Sequence, residues 1–278
     1  MNSEPFEDEQ PTTTDTPLIL RAKDAAIPAP FHTDDDATTP LVSIVIPVYN
    51  EETILEKSVT DLMTDMERFA FSYEIVLAEN GSADRTLEIG AALASQHPQV
   101  RIFQCPEPDY GLALRMGIES SRARYIICEE IDLCDTDFHE RSLRLLIEGE
   151  SDLIVGSKTL ASSNDKRPLF RRTATLVINM LLRIFLGFRG TDTHGLKAFH
   201  RTRLLDVVKS CVVNRDLFAS EFVIRSERGD FRVKEIPISL EEKRPPSVKL
   251  ISRVPHVLAN LARLVWAIRM SRRPPGSA

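Results

Sequence analysis

The stretch Leu41-Val-Ser-Ile-Val-Ile-Pro-Val-Tyr-Asn-Glu51 decides the fold of this chain. Its first half is apolar and β-branched, which is typical of a strand buried on both faces, and Pro47 ends the apolar run. Apolar residues at helical spacing follow from about Glu52 to Met66. The structured part of the chain is therefore predicted to open with a buried strand, a polar turn and an amphipathic helix.

The same alternation of strand and helix continues along the chain. Further strands are predicted at 73–78, 100–104, 125–128, 153–157, 195–199 and 231–238. Further helices are predicted at 86–95, 111–122, 171–188 and 254–270. Strands that alternate with helices at this spacing form a parallel sheet. The predicted fold class is α/β, with a Rossmann-like, mostly parallel sheet flanked by helices and a C-terminal amphipathic helix.

Charge divides the chain into three parts. Residues 1–40 carry nine acidic groups and two basic ones, a net charge of -7, whereas the whole chain of 278 residues carries -6. They are rich in Thr, Pro, Asp and Glu and lack periodicity, which is typical of a disordered tail. Residues 243–278 hold eight basic groups and no acidic one. We therefore expect a disordered acidic tail at 1–40, a folded domain at 41–250, and a basic amphipathic helix and tail at 251–278.

The cysteines and the apolar runs indicate a cellular compartment. The four cysteines show no CxxC or zinc-ligand spacing, and the polar, acidic N-terminus does not resemble a secretory signal. No apolar run reaches the roughly 18–20 residues that span a bilayer. The longest candidate, at 176–188, is interrupted by Asn179 and Arg183. We expect a chain without a membrane span in a reduced, cytosolic compartment.

Polar segments follow three of the predicted strands. They are Pro47-Val-Tyr-Asn-Glu51, Glu79-Asn-Gly-Ser-Ala-Asp-Arg-Thr86 and the acidic run Glu129-Glu-Ile-Asp-Leu-Cys-Asp-Thr-Asp137. Because open α/β sheets bind ligands at the carboxyl ends of their strands, a site is predicted there. Each segment also has a simpler interpretation, which is a capped turn for the first two and a solvated acidic loop for the third.

The acidic run has the chemistry of a divalent-cation site. Carboxylates at i and i+2 after a strand, such as Glu130 and Asp132, point the same way and can share a cation with phosphate oxygens. Mg²⁺ or Mn²⁺ would take one or two of these carboxylates and leave its other positions for a diphosphate.

In this order, the three segments resemble the nucleotide-sugar-binding half of family 2 glycosyltransferases, which have the GT-A fold. Later segments are similar to later motifs of that family, namely Val155-Gly-Ser-Lys158, Arg171-Arg172, Thr191-Asp-Thr-His-Gly-Leu-Lys-Ala-Phe199, Phe218-Ala-Ser-Glu221 and Val233-Lys-Glu-Ile-Pro237. Within the family, the chain is most similar to the dolichyl-phosphate (polyprenyl-phosphate) mannosyl- and glucosyltransferase branch.

The resemblance implies roles for individual residues. The nucleotide pocket would be lined by Pro47, Tyr49, Glu51, Glu79 and Asn80. The cation, Mg²⁺ or Mn²⁺, would be held by Glu130, Asp132 and Asp135. Glu130 stands where the family has the first Asp of its D-x-D motif, and Cys134 stands where a Gln often assists.

The implied reaction is transfer of a hexose, with inversion, from a GDP-mannose or UDP-glucose type of donor to a polyprenyl phosphate. Cations would hold the acceptor phosphate, and the candidates are Lys158, Arg171, Arg172, Lys197 and Arg244. A lipid phosphate is already anionic and needs no strong base, whereas a sugar hydroxyl would need one, for which Asp192 is the candidate. The predicted catalytic residues are Asp132, Asp192, Arg171 and Lys197. The neighbouring His194 is expected to be a hydrogen-bonding loop residue.

The two later helices indicate a membrane surface as a partner. The apolar helix at 173–188 and the basic segment at 253–273 suit peripheral attachment at the cytoplasmic face. Packing on the sheet, on a membrane protein or on a second subunit fits the same pattern. Nucleic acid is not expected, because no basic patch is interleaved with aromatic residues. NAD is not expected either, because no GxGxxG follows the first strand.

Two alternative functions stay open at this point. One is transfer to a sugar hydroxyl of a polysaccharide or glycoconjugate, in which the reaction would depend on Asp192. The other is binding of a nucleotide sugar without catalysis, which the altered D-x-D motif makes conceivable.

Overall fold

A seven-stranded sheet organises the part of the chain that the computed structural model describes, which is residues 39–158, 160, 169–214, 217–238 and 250–270. The strands are β1 (Val42–Val48), β2 (Tyr73–Glu79), β3 (Val100–Gln104), β4 (Tyr125–Cys128), β5 (Leu153–Ser157), β6 (Lys197–His200) and β7 (Val233–Pro237). The predicted tail at 1–40 lies outside the described residues except for its last two positions.

Eight helices accompany these strands in the described segments. They are α1 (Leu55–Met66), α2 (Thr86–Gln96), α3 (Tyr110–Ser120), α4 (Thr136–Ile147), α5 (Leu169–Leu186), α6 (Arg201–Ser210), α7 (Phe218–Arg228) and α8 (Leu250–Met270). No helix among the described residues combines the length and the apolar character needed to cross a membrane.

The sheet has the order β3-β2-β1-β4-β6-β5-β7. β1 pairs in parallel with β2 and β4, β2 with β3, and β5 with β7, whereas β6 runs antiparallel to both β4 and β5. The predicted mostly parallel α/β sheet is confirmed. The antiparallel direction of β6 is a feature that no local sequence pattern predicts.

The strand residues alternate between two apolar layers, as the period of two in a strand requires. On β1, Ile44 and Ile46 pack with the apolar faces of α1 and α4. Val45 lies in the other layer, which contains the apolar residues of α3, α5, α6, α7 and α8. Because both faces of the sheet are covered, every residue of β1 is buried, as expected for a central parallel strand.

Several predicted boundaries differ from the structure. The first helix begins at Leu55 instead of Glu52, because the N–H of Ile54 donates to the carbonyl of Glu51 and closes a turn before the helix. β6 begins at Lys197 instead of Gly195. A Cβ on Gly195 would lie 1.6 Å from the carbonyl oxygen of Gly156. The two backbones are therefore in direct contact at Gly195, and regular strand pairing begins only after this residue.

Three helices, α4, α6 and α7, were not predicted from the sequence. The apolar stripe of α6 is short, and in α4 and α7 polar residues are buried within the stripe, which obscures the helical period. In α7, for example, Glu221 and Ser226 are buried beside Phe218 and Phe222. In α8, by contrast, the predicted apolar positions Leu261, Leu264 and Ile268 are buried against the core.

Candidate active site

The strand order reverses at β1, which lies between β2 and β4. In open α/β sheets the crevice at the carboxyl ends of the strands beside such a reversal is the usual ligand site. The three polar segments predicted from the sequence follow β1, β2 and β4. The structure therefore brings these three segments to one edge of the sheet.

The loops after β1 and β2 are hydrogen-bonded to each other. The Asn50 N–H donates to Ser82 Oγ (2.9 Å), and Asn50 Oδ1 accepts from the Ala83 N–H (2.9 Å). The Glu51 N–H donates to Thr86 Oγ1 (2.7 Å). The two loops therefore form one rim. At this rim Tyr49 is half exposed, with its ring available to a ligand.

Glu79 and Asn80 are buried at the end of β2. Glu79 Oε1 accepts from the Ser82 N–H at 2.5 Å across a turn in which Gly81 has φ +74°, a conformation that glycine adopts without strain. Glu79 Oε2 is buried and has no hydrogen-bond partner among the described residues. Because buried polar atoms are nearly always paired, this oxygen is a place for a donor group of a ligand. Asn80 Oδ1 accepts from the Asp109 N–H (2.5 Å), which ties this site to the start of α3.

The acidic loop after β4 carries Glu130 and Asp132, both partly buried. Burial raises the pKa of Glu130, Lys158 opposes that shift, and the charge of Asp132 adds to it. Asp135 is the N-cap of α4, because its Oδ1 accepts from the Phe138 N–H (3.0 Å). Asp135, one of the three predicted metal-binding residues, therefore also stabilises the start of α4.

The donor set at this loop fits a hard divalent cation. Oxygen ligands from one or two carboxylates, completed by phosphate oxygens, are what Mg²⁺ takes in phosphate-binding sites. Within the described part of the chain, no three His, Cys, Asp or Glu side chains converge on a common cation position. A cation held here would therefore take only part of its coordination from the protein, with Glu130 and Asp132 as the available pair.

Two lysines lie close to this acidic loop. β6 is inserted between β4 and β5 in the opposite direction, so its first residue, Lys197, lies at the edge where β4 and β5 end. Lys197 is 3% exposed, and its Nζ donates to the Gly195 carbonyl (2.7 Å). Burial lowers the pKa of Lys197, while the charges of Asp192 and Glu130 act in the opposite direction. Lys158, just after β5, interacts electrostatically with both Lys197 and Glu130.

Asp192 is almost completely buried in the loop before β6. Its Oδ1 accepts from the His194 N–H (2.8 Å) and its Oδ2 from the Lys158 N–H (3.2 Å). The carboxylate of Glu235 on β7 holds the same loop, because Oε1 accepts from the N–H groups of Thr191 (2.6 Å) and Asp192 (3.1 Å). Both oxygens of Asp192 are thus engaged in shaping the loop.

Sequence reasoning missed Tyr110, the first residue of α3. Burial of its hydroxyl raises the pKa of Tyr110 well above its usual range, and the charges of Glu130 and Asp132 add to this shift. The residue as a whole is 44% exposed, so part of the side chain borders open space. Asp109, which caps α3 through the Leu112 N–H (2.9 Å), is the sequence signal that marks this helix start.

Three of the basic residues predicted to bind the acceptor phosphate have side chains outside the described part of the structure. Arg171 and Arg172 lie in the first turn of α5, but the placement of their side chains is outside what the structure describes. Arg244 lies outside the described residues altogether. Their roles in binding an acceptor phosphate stay predictions.

A cavity of about 370 Å³ lies next to the start of α3. Its wall includes Asp109, the loop residues Val212 and Asn214, and Asn260 and Trp266 of α8. Val212 and Trp266 of its wall are largely exposed, and Arg263 is exposed beside them, so the cavity opens between apolar and basic side chains. Through Asp109 the cavity adjoins the end of β2, where Asn80 binds the Asp109 N–H.

The sequence matches a known family over most of the sheet. The family described as glycosyl transferase family 2 matches residues 43–207. The chain is 30% identical over 240 residues to Glycosyltransferase AglD of Haloferax volcanii. The aligned region covers 84% of this chain and 38% of that protein. The chain thus spans well under half the length of this relative.

Two further similar proteins match this chain over most of the length of both chains. The chain is 26% identical over 273 residues to dolichyl-phosphate beta-glucosyltransferase ALG5D of Trichomonas vaginalis, covering 90% of this chain and 83% of that protein. Glucosyl-3-phosphoglycerate synthase from Mycobacterium tuberculosis, in complex with Mn²⁺, UDP-glucose and phosphoglyceric acid, superposes with a TM-score of 0.59 at 19% identity. That superposition covers 82% of this chain and 80% of the synthase, and at this identity it shows a common fold.

Proposed function

The chain belongs to glycosyl transferase family 2, and from this premise we propose that it transfers a hexose, with inversion, from a nucleotide diphosphate sugar to a polyprenyl phosphate. UDP-glucose is the first donor to test and GDP-mannose the second. Support comes from two similar proteins, one from Trichomonas vaginalis and one from Drosophila melanogaster, that carry the name dolichyl-phosphate beta-glucosyltransferase. The observation that carries the proposal is the cluster of Lys158 and Lys197 beside Glu130 at one strand edge.

The donor nucleoside is proposed to lie at the ends of β1 and β2. There the ring of Tyr49 is available for stacking, and Glu79 Oε2, which has no partner within the described segments, is a buried acceptor for an N–H or O–H group. The other residues assigned to this pocket are Pro47, Glu51 and Asn80. Of these, Asn80 already binds the Asp109 N–H, so it shapes the pocket wall next to α3.

Glu130 and Asp132 are proposed to hold Mg²⁺ or Mn²⁺ with the diphosphate, and Asp135 is the third candidate. A bound divalent cation supplies neutralisation of the charge that develops on the leaving nucleoside diphosphate. The carboxylate of Glu130 is disfavoured by burial and by the charge of Asp132. A cation at this place would relieve that cost, which supports the assignment.

The acceptor is proposed to be an anionic phosphate. Lys197 is a buried cation and Lys158 a partly buried one, and both lie beside the acidic loop, where a phosphate and a diphosphate would meet. A phosphate oxygen can attack without a strong base. Asp192, the candidate base for a hydroxyl acceptor, accepts one backbone N–H at each oxygen, and these bonds hold its carboxylate in the loop. The buried Lys197 beside the acidic loop favours the phosphate acceptor over the alternative of a sugar hydroxyl.

A membrane surface is proposed as the partner that presents the lipid, at its cytoplasmic face. One stripe of α5 exposes Leu176, Val177, Met180, Ile184 and Phe185. Two exposed arginines border this stripe, namely Arg183 within α5 and Arg269 of α8, which donates to the Phe185 carbonyl. An apolar helix face with a basic border is the pattern of an interfacial helix on anionic lipid. The cavity beside α3 is also lined by α8, where Trp266 and Arg263 are exposed.

The proposal is tested by transfer of radiolabelled sugar from UDP-glucose or GDP-mannose to a short polyprenyl phosphate. The assay is run with Mn²⁺ and with EDTA, and the organic-extractable product is counted. We expect extractable product from one donor, dependent on the cation and on the lipid phosphate. Transfer to added sugars without any lipid product would contradict the proposed acceptor. Binding of donor without turnover would contradict the proposed catalysis.

A further inference from the structure

Glu129 is a buried carboxylate beside the acidic loop. It directly follows β4 and precedes Glu130. Its side chain and that of His139, a residue of α4, are both 0% exposed, and Glu129 Oε2 lies 2.7 Å from His139 Nε2. Neither side chain reaches the surface at which a substrate would bind. Any contribution of this pair to the site must therefore act through other residues.

The carboxylate of Glu129 accepts backbone hydrogen bonds from both the first and the last part of the acidic loop. Its Oε1 accepts from the Glu130 N–H (2.9 Å), and its Oε2 accepts from the Asp135 N–H (3.1 Å). Between these two points the chain makes a tight turn, in which the Cys134 N–H donates to the Glu130 carbonyl (3.2 Å). Asp132 lies within this turn. The shape of the segment that carries Glu130 and Asp132 is therefore fixed by one buried carboxylate.

His139 connects the same carboxylate to α4. The helix is capped by Asp135 through the Phe138 N–H, and the His139 N–H donates to the Asp135 carbonyl (3.1 Å). From this position in the helix, His139 Nε2 reaches back to Glu129. The start of the loop, its end and the first turn of α4 are thus held as one unit.

Two features of this unit oppose stability. His139 Nδ1 is buried and has no hydrogen-bond partner among the described residues. Cys134 has a left-handed backbone conformation with φ +46°, which is strained for any residue other than glycine. Buried pairs of ionisable groups can often be replaced by apolar residues without loss of stability. Because such costs concentrate at functional sites, the Glu129–His139 pair is a candidate for a role in the site beyond its contribution to stability.

We infer that Glu129 and His139 are positioning residues, which hold the acidic loop in the shape that presents Glu130 and Asp132 to a cation-bound nucleoside diphosphate. The inference rests on the proposed function. Hydrogen bonds to the groups that bind a metal orient them, and their loss typically lowers metal affinity about 10- to 100-fold. Here the hydrogen bonds act on the backbone of the loop, so losing them would release both carboxylates together.

The test is calorimetric titration of UDP, and in parallel of GDP, into the full chain with Mn²⁺ and with EDTA. The variants are His139→Leu, Glu129→Gln and the conservative His139→Gln, whose amide N–H takes the place of Nε2–H. We expect H139L and E129Q to weaken binding about tenfold or more in Mn²⁺ and to leave binding in EDTA unchanged. H139Q is expected to restore most of the affinity.

Glu74→Gln is the matched control. Glu74 is also a buried carboxylate that holds a loop, since its Oε1 accepts from Ser43 Oγ (2.6 Å) and from the Arg122 N–H (2.8 Å). It lies at the opposite end of β2 from Glu79. We expect E74Q to lower the thermal midpoint of unfolding without changing the effect of Mn²⁺ on nucleotide affinity.

The outcomes separate the two claims. If H139L and E129Q bind the nucleotide with Mn²⁺ as tightly as the wild type, the inference is overturned and the proposed function stands. A loss of equal size in EDTA also overturns it, since that result describes a general structural role. If the wild type binds neither nucleotide under either condition, the proposed function fails, and the inference fails with it.

Discussion

Cys128 and Lys197 are register partners on the antiparallel strands β4 and β6. Cys128 lies two residues before Glu130. The pairing therefore brings the buried Lys197 close to Glu130, although Lys197 and Glu130 are far apart in sequence. Burial raises the pKa of the Cys128 thiol to about 12, with the charge of Lys197 opposing the shift, so the thiol is neutral at physiological pH. Lys197 therefore does not face a thiolate at Cys128, and the charges of Asp192 and Glu130 favour its protonated form against the effect of burial.

Replacing Lys197 by Met is expected to remove transfer activity without unfolding the protein. A buried cation that stabilises a phosphate in the transition state contributes roughly 100-fold or more to turnover. Burial already disfavours the charged form of Lys197, and Met keeps most of the aliphatic length of the side chain, so the thermal midpoint should stay close to that of the wild type. The measurements are kcat with a polyprenyl phosphate acceptor and the thermal midpoint. Lys234→Met, at an exposed lysine paired with Glu150, is the control and should keep full activity.

If K197M retained normal turnover, Lys197 would have no part in binding either phosphate. A large fall in the thermal midpoint would instead assign Lys197 a structural role through its hydrogen bond to the Gly195 carbonyl.

Asp152 is expected to make stability depend on pH in the acid range. Although its burial acts in the opposite direction, hydrogen bonds from Arg232 and Arg203 lower the pKa of Asp152 to about 2 from its ordinary value of 3.8. A lowered pKa contributes stability above the pKa of the unfolded chain, and this contribution is lost as the pH falls from about 4 towards 2. Asp152→Asn should lower the free energy of unfolding by about 1–3 kcal/mol at pH 7.

Urea unfolding at pH 7, 5 and 3 measures this effect. The difference between D152N and the wild type should shrink between pH 5 and pH 3, because the Asp152 carboxyl of the unfolded wild-type chain takes up its proton near its ordinary pKa of 3.8, while the folded protein keeps it ionised to lower pH. The control is Asp137→Asn, which breaks an exposed pair with Arg141 and should change stability by less than about 1 kcal/mol. A difference between D152N and the wild type that does not vary with pH would be inconsistent with this account.

Ile184→Glu is expected to weaken attachment to anionic vesicles. Ile184 is 65% exposed on the apolar stripe of α5, so the substitution places a charge in the proposed lipid-facing surface without disturbing the core. Co-sedimentation with vesicles of anionic phospholipid at low and physiological salt measures the bound fraction. Leu87→Glu, at an exposed leucine on α2, is the control and should bind vesicles as the wild type does. Equal binding by both variants would remove α5 from the proposed membrane surface.

The parallel strands were predictable because their residues are β-branched, apolar and bounded by polar turns. β1, β2 and β4 were placed within one or two residues, and with them the polar segments that follow. The direction of β6 was not predictable, because antiparallel insertion depends on contacts with β4 and β5 and leaves no local signal. This is why Lys197 was recognised as a candidate cation only through a family resemblance, whereas its position opposite Cys128 required the structure.

The buried support of the site was also outside the reach of sequence reasoning. Glu129 was counted as one of several acids in an acidic run, since nothing in the sequence distinguishes a buried carboxylate from exposed neighbours. Its partner His139 lies in α4, a helix whose apolar stripe is interrupted by that same buried histidine. Asp135 illustrates the reverse case, in which a residue assigned to metal binding follows the N-cap pattern and caps the helix.

The measurement that tests the central claim most directly is transfer of radiolabelled glucose from UDP-glucose to a polyprenyl phosphate by the wild type, Asp132→Asn and Asp137→Asn in Mn²⁺. Asp137 is an exposed acid five positions from Asp132, so D137N controls for loss of charge near the loop. We predict extractable glucosyl lipid from the wild type and D137N, and a loss of about 100-fold or more in D132N. Equal transfer by all three proteins, or none by the wild type with either UDP-glucose or GDP-mannose, would contradict the account.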